Sequence, residues 1–230
     1  MERVFFPFDA ELKNELDEIK LAIQGEQNGM ASYQMGQMAY KKNYGVSYVA
    51  LRNIARQYQP NKKLAFCLWN IGYRETMLLS LLLMPAGELD EQEAYSLIEG
   101  MQEMELVEFA CRGVLGALDC AAELVVGCLS KDAKFSVETA YLLGARLLEN
   151  GTELPSFYKV LFDRVGVDLA ANKPTVARAV SNFLKQLGLY DSQSEKVMAV
   201  VDRLASTDNM QLRWVAEEVR TFVEYTGHKA

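Results

Sequence analysis

Segments of this chain repeat one helical pattern. RETMLLSLLLM at 74–84 resembles VETAYLLGARL at 137–147. VARAVSNFLKQ at 176–186 and LRWVAEEVRTF at 212–222 follow, each roughly 40 residues beyond the one before. A period of that length built from helix pairs is a HEAT-like repeat pattern. A single pair cannot bury its own apolar face, so pairs stack into a solenoid with one continuous core. The second helices of the pairs then line one face, usually the concave one, which would put Arg74, Glu138, Arg178 and Arg213 on a common row. The composition agrees with this reading. The chain has 230 residues, is 50% hydrophobic and holds only five prolines, so it can bury a substantial core without frequent breaks. Good helix formers are plentiful and alternating β-branched runs are almost absent. The expectation is an all-α, HEAT-like solenoid of about 13 helices forming one domain over residues 1–230.

Local signals divide the chain further. Asp9 is placed to cap a first helix to about Gly25, with Leu12, Leu16, Ile19 and Ile23 on one face. A second helix is expected over about 29–42, with Ala31, Met35 and Met38 as its stripe. Asn43-Tyr44-Gly45 breaks it. Ser47 caps a third helix that Pro60 ends, Asn61 caps a fourth, and Gly72 breaks that one before a very apolar helix at 74–84. After the turn Pro85-Ala86-Gly87, helices are expected at about 90–99, 103–115, 117–129, 136–149, 155–165, 173–187, 192–205 and 210–225. Short connections make neighbours antiparallel.

Charge is unevenly placed. Residues 41–74 carry Lys41, Lys42, Arg52, Arg56, Lys62, Lys63 and Arg74 and no acid, whereas residues 75–108 carry nine acids and no Lys or Arg. A basic zone of this kind fits contacts to phosphate, or equally the solvated outer faces of three helices. The whole chain has a formal charge of −7, the wrong sign for a nucleic-acid binder, but screening limits the reach of distant carboxylates to about 8–10 Å.

The motifs in this zone resemble a known family. Tyr44-Gly45-Val46, Leu51-Arg52-x-Ile54-Ala55, Leu68-Trp69 and Arg74-Glu75 are similar to the N-terminal half of the bacterial DNA alkylation repair family, and Val176 to Gly188 resembles part of its C-terminal half. The resemblance spans nearly the whole chain. It implies a HEAT-like solenoid. The active members are DNA glycosylases that release N3- and N7-alkylated purines, gripping duplex DNA on a concave basic face. An Asp stabilises the oxocarbenium-like sugar, aromatic rings pack on that sugar, and an Arg holds the phosphate.

Carried over residue by residue, the catalytic set is not matched. Met104 stands where the resemblance puts the first Trp, and Glu108 where it puts the Asp. Val137 or Glu138 occupies the place of the phosphate-holding Arg, and Asn182 that of the second Trp. A Glu in the Arg position would repel the phosphate it should hold. Glu105 with Glu108, at i,i+3, has the spacing of an acid pair, or of two solvated surface carboxylates. Trp69 and Trp214 are read as core. Cys67, Cys111, Cys120 and Cys128 are read as small buried hydrophobes in a reducing compartment. The single histidine, His228, lies in the terminal tail, and with no Cys–His or carboxylate–His spacing neither a metal site nor a cofactor is expected. There is no signal-peptide pattern and no apolar run of about 20 residues, so a soluble, cytoplasmic protein is expected.

The reading is therefore a DNA alkylation repair-like protein acting as a non-catalytic module. It binds duplex DNA in a salt-sensitive way through Arg178, Arg213 and the basic zone, or a protein on its concave face, and neither a metal nor a membrane. The alternatives are an active alkylpurine DNA glycosylase using Glu108 as its stabilising carboxylate, and a protein-interaction scaffold with no nucleic-acid role.

Overall fold

The computed structural model describes residues 10–38, 40–151 and 153–226. Asp9 and His228 lie outside them. The described residues form thirteen α-helices and one 3-10 turn. They divide into two compact units, Met1–Leu118 and Asp119–Ala230.

The first unit contains α1 (Ala10–Gly25), α2 (Gly29–Met38), α3 (Tyr48–Ala55), α4 (Lys62–Ile71), α5 (Arg74–Leu83), α6 (Glu91–Gly100), α7 (Met104–Arg112) and the 3-10 turn Leu115–Ala117. Helix α5 is its centre. It packs against α3, α4 and α7, and nine of its ten residues are buried, Leu82 alone being half-buried. The expected caps form: the Ser47 hydroxyl accepts from the Ala50 N–H and the Asn61 side chain from the Leu64 N–H. Gly72 closes α4 in the left-handed region at φ 76°, a conformation that costs a residue with a Cβ. Asp90 and Glu93 form a reciprocal capping box on α6.

Several boundaries differ from the sequence reading: the helix expected at 103–115 ends at Arg112, that at 117–129 begins at Ala121, and that at 155–165 runs on to Ala170. Helix α2 stops at Met38 rather than continuing to 42, because Asn43 ties the following turn down. Its side-chain amide donates to the Tyr40 carbonyl (2.7 Å) and, more weakly, to the Ser32 carbonyl (3.3 Å). Ala31 and Met35 of the expected stripe are only half-buried. Helix α3 ends at Ala55, well before Pro60.

The second unit contains α8 (Ala121–Cys128), α9 (Ser136–Asn150), α10 (Phe157–Ala170), α11 (Pro174–Gly188), α12 (Asp191–Ala205) and α13 (Met210–Tyr225). Its helices pair as α8/α9, α10/α11 and α12/α13, and α11 packs between α9 and α13. The second helices begin at Ser136, Pro174 and Met210, which is the repeat interval read from the sequence. Close packing at this layer depends on Gly144. A Cβ there would lie 2.6 Å from Leu161 Cδ1 and 3.4 Å from the Phe157 ring. Beside it, the Tyr141 hydroxyl sits 2.8 Å from the buried Asp168 carboxylate, and Arg164 pairs with the same carboxylate at 2.9 Å.

Candidate nucleic-acid interface

Two of the family-like motifs of the first unit, Tyr44-Gly45-Val46 and Arg74-Glu75, converge on one buried ionic cluster. Gly45 has φ 71°, and a side chain there would collide with the Asn28 carbonyl and the Ser32 amide, so only glycine fits. That backbone path turns the amides on either side inward. The Tyr44 N–H donates to Glu75 Oε2 (2.9 Å) and the Val46 N–H to Glu75 Oε1 (3.2 Å). Glu75 is fully buried, and Arg74 beside it is 6% exposed. The Arg74 guanidinium forks onto Glu105, with Nε to Oε2 at 2.7 Å and Nη2 to Oε1 at 2.6 Å. Its Nη1 donates to the Val46 carbonyl (2.9 Å) and reaches Glu75 Oε1 (3.3 Å). The Tyr40 hydroxyl donates to Glu105 Oε2 (2.6 Å), and Arg74 lies over the Tyr40 ring.

The cluster holds one guanidinium against two carboxylates. Burial works to raise the Glu105 carboxyl, but the Arg74 and Tyr40 hydrogen bonds and the Arg74 charge bring it below the ordinary carboxylate range. Burial and the neighbouring Glu105 push the Tyr40 phenol far up, so it stays a donor. Arg74, expected among the phosphate-contacting cations, is therefore held inside by two carboxylates, and Glu105 is its partner rather than half of an acid pair with Glu108. The nearby Tyr-Gly and Arg-Glu motifs were the available signal for this network, but nothing in the sequence pointed to Glu105 or Tyr40 as its other members.

The remaining basic residues of the zone are not equivalent. Lys62 is taken by Glu93 (2.6 Å) and donates to the Glu88 carbonyl, tying α4 to the start of α6. Lys41, Lys42, Arg52, Arg56 and Lys63 are exposed. Among the described residues none of these five has a carboxylate partner. Arg52 and Arg56 come together. They lie one turn apart at the end of α3 and, with Tyr58, line a pocket of about 230 Å³ whose apolar side is Pro60, Leu82 and Leu83. Cations at a helix C-terminus also complement its negative end, so the position suits arginine locally.

In the second unit, Glu138 is 1% exposed and internally satisfied. Lys173 Nζ pairs with its Oε1 at 2.7 Å, and the Thr175 hydroxyl donates to the same oxygen at 2.6 Å. The expected row is thus split in this unit, with Glu138 inside and Arg178 on α11 and Arg213 on α13 exposed. Asn182 is half-buried, and in the first unit Glu108 is exposed on α7. Trp69 is core at 3% exposure, but Trp214, read as core, is 41% exposed, because it lies on the side of α13 opposite the buried Val215, Val219 and Val223. All four cysteines are free thiols; Cys111 and Cys128 are buried, whereas Cys67 and Cys120 are only half-buried. Among the described residues no group of three His, Cys, Asp or Glu could hold a metal ion, and no helix is long and apolar enough to cross a membrane.

The profile of the family described as DNA alkylation repair enzyme matches residues 13–198. The chain belongs to that family. The match covers both the Tyr-Gly and Arg-Glu motifs that build the buried cluster and the α9–α11 layer. No curated protein matches the sequence closely enough to count. Among solved structures, the fold is similar to one described as "a new family of proteins related to the HEAT-like repeat DNA glycosylases with affinity for branched DNA structures". The TM-score is 0.75 at 15% identity, over 94% of this chain and 98% of that one. At that identity the likeness establishes a HEAT-like helical repeat fold.

Proposed function

We propose that this member of the DNA alkylation repair family is a DNA-binding protein without glycosylase activity, and that its ligand is DNA with a branch or discontinuity rather than intact duplex. The observation that carries the reading is the exposed Arg52–Arg56 pair, without a carboxylate partner among the described residues, in a chain whose other basic residues include several committed to internal pairs. Unpaired arginines one turn apart are suited to bidentate phosphate contact. The absence of glycosylase chemistry is supported by the unmatched catalytic set. The place of the phosphate-holding Arg falls on Val137 or Glu138; the first carries no charge, and the second is a buried carboxylate neutralised by Lys173, so neither offers net positive charge to a backbone. The ligand class follows from the structural neighbour's affinity for branched DNA structures.

The test is a binding titration with a four-way junction and a linear duplex at two salt concentrations. The junction is expected to bind more tightly, with log K falling steeply against log salt. Arg52→Glu/Arg56→Glu is expected to reduce the slope by about 2, one for each lost phosphate contact. No binding to either DNA at low salt overturns the reading. Release of alkylpurine from methylated duplex by the purified protein overturns its non-catalytic half.

A further inference from the structure

The pocket at the end of α3 differs chemically from a simple phosphate patch. One side is cationic, with Arg52 and Arg56, and the other is apolar, with Leu82, Leu83 and Pro60. Tyr58 stands in the same lining. Burial first, then the Glu18 and Glu15 carboxylates of α1, raise its phenol, so it remains a neutral ring with a donor hydroxyl. Those two carboxylates disfavour an anion at the Tyr58 end. A phosphate therefore belongs at the guanidinium end, and a neutral planar group beside the tyrosine. Helix α5 is fixed by burial on nearly all sides, and the Asn61 N–H donates to the Leu83 carbonyl at 2.9 Å, so the apolar wall is preformed. Intact duplex offers such a pocket only its phosphate rail, because its bases are stacked inside.

From this geometry we infer that the pocket receives a single unpaired nucleotide of DNA, with its phosphate on Arg52 and Arg56 and its base against Tyr58, Leu82 and Leu83. The inference rests on the DNA-binding reading above and specifies which part of a branched structure is recognised. A base that leaves the stack gains a new stacking surface, and aromatic–base stacking tolerates any sequence. The site would thus recognise the discontinuity itself and not the bases around it.

The experiment compares the full-length protein on a duplex ending in a one-nucleotide 5′ flap, the same duplex without the flap, and the same flap carrying an abasic sugar. The flap is expected to bind about tenfold more tightly than the flapless duplex, within the range of one stacked base, and the abasic flap to lose most of that gain. Tyr58→Ser is expected to bring the flap-to-flapless ratio close to one. Leu82→Gln, at a half-buried wall position, provides an independent reading should Tyr58→Ser unfold. Salt-sensitive binding with a ratio near one in the wild type overturns the pocket inference and leaves the DNA-binding reading standing. A ratio that persists in both folded variants also overturns it, since the unpaired base then sits elsewhere. Displacement of duplex by free dAMP without any flap preference overturns it in favour of free nucleotide. Absence of any DNA binding removes the parent reading and this inference together.

Discussion

Replacing Arg74 with methionine separates a structural role from a DNA contact in one variant. Methionine keeps most of the aliphatic stem and removes the charge. The Arg74 side chain is 5% exposed; its partners Glu75 and Glu105 are 0% and 27% exposed. Removing one member of a buried pair leaves the other uncompensated, at about 3–5 kcal/mol. Glu75 keeps its two backbone donors and Glu105 has some access to water, so the lower end of that range applies, about 3 kcal/mol. For a chain of this size that is a fall in Tm of about 6–12 °C. The acid arm should change as well. The Glu105 carboxyl is depressed in the folded state, so its contribution is present above the unfolded carboxylate pKa and is lost as pH falls through the folded value. Arg74→Met should flatten the acid side of the stability profile. Thermal unfolding between pH 3 and 7, with Glu105→Met and the double variant completing a cycle, measures both effects. The double variant should be less destabilised than the sum of the singles. A loss below about 1 kcal/mol together with weakened duplex affinity would refute the argument and make Arg74 a DNA contact.

Gly45→Ala should destabilise by at least about 2 kcal/mol, since left-handed strain adds to collision with the Asn28–Ser32 backbone; unchanged denaturant midpoints would show that the Tyr-Gly motif is dispensable. The Cys128 thiol, pushed up to about 12 by burial, should resist alkylation at pH 8 in the native protein, with Cys67 and Cys120 labelled first; mass spectrometry showing Cys128 modified earliest contradicts this. Trp69→Ala should cost about 3–5 kcal/mol and Trp214→Ala under about 1 kcal/mol, and equal losses in urea titrations would place both rings in the core.

Periodicity carried the fold because burial is what periodicity reports. The helix caps at Ser47 and Asn61, the break at Gly72 and the repeat that sets α9, α11 and α13 all follow from local chemistry that the sequence displays. The second helix went astray because its end is fixed by Asn43, which reaches back to Tyr40 and also to Ser32, 11 positions away, a contact that hydrophobic periodicity does not report. The site was less legible for a related reason. A list of basic residues cannot distinguish Arg74, engaged by a carboxylate 31 positions away, or Lys62, engaged by Glu93, from Arg52 and Arg56. Long-range pairing decides which cations remain available. The apolar wall of the pocket comes from the far end of α5, so its adjacency to α3 is a property of packing and not of spacing.

The same pairing shows which part of the family likeness serves packing in this chain. Tyr44-Gly45-Val46 and Arg74-Glu75 are among the residues that carry the resemblance, and they form a buried cluster that fixes α5 against the turn before α3. In the second unit the buried Glu138 is compensated by Lys173, which stands just ahead of α11. That pair is neutral and its carboxylate is buried, so it offers no net positive charge to a ligand. What the chain can contact must be sought among the side chains that such internal pairs leave exposed. Arg52, although part of a family-like motif, and Arg56 are exposed in this way beside a preformed apolar wall.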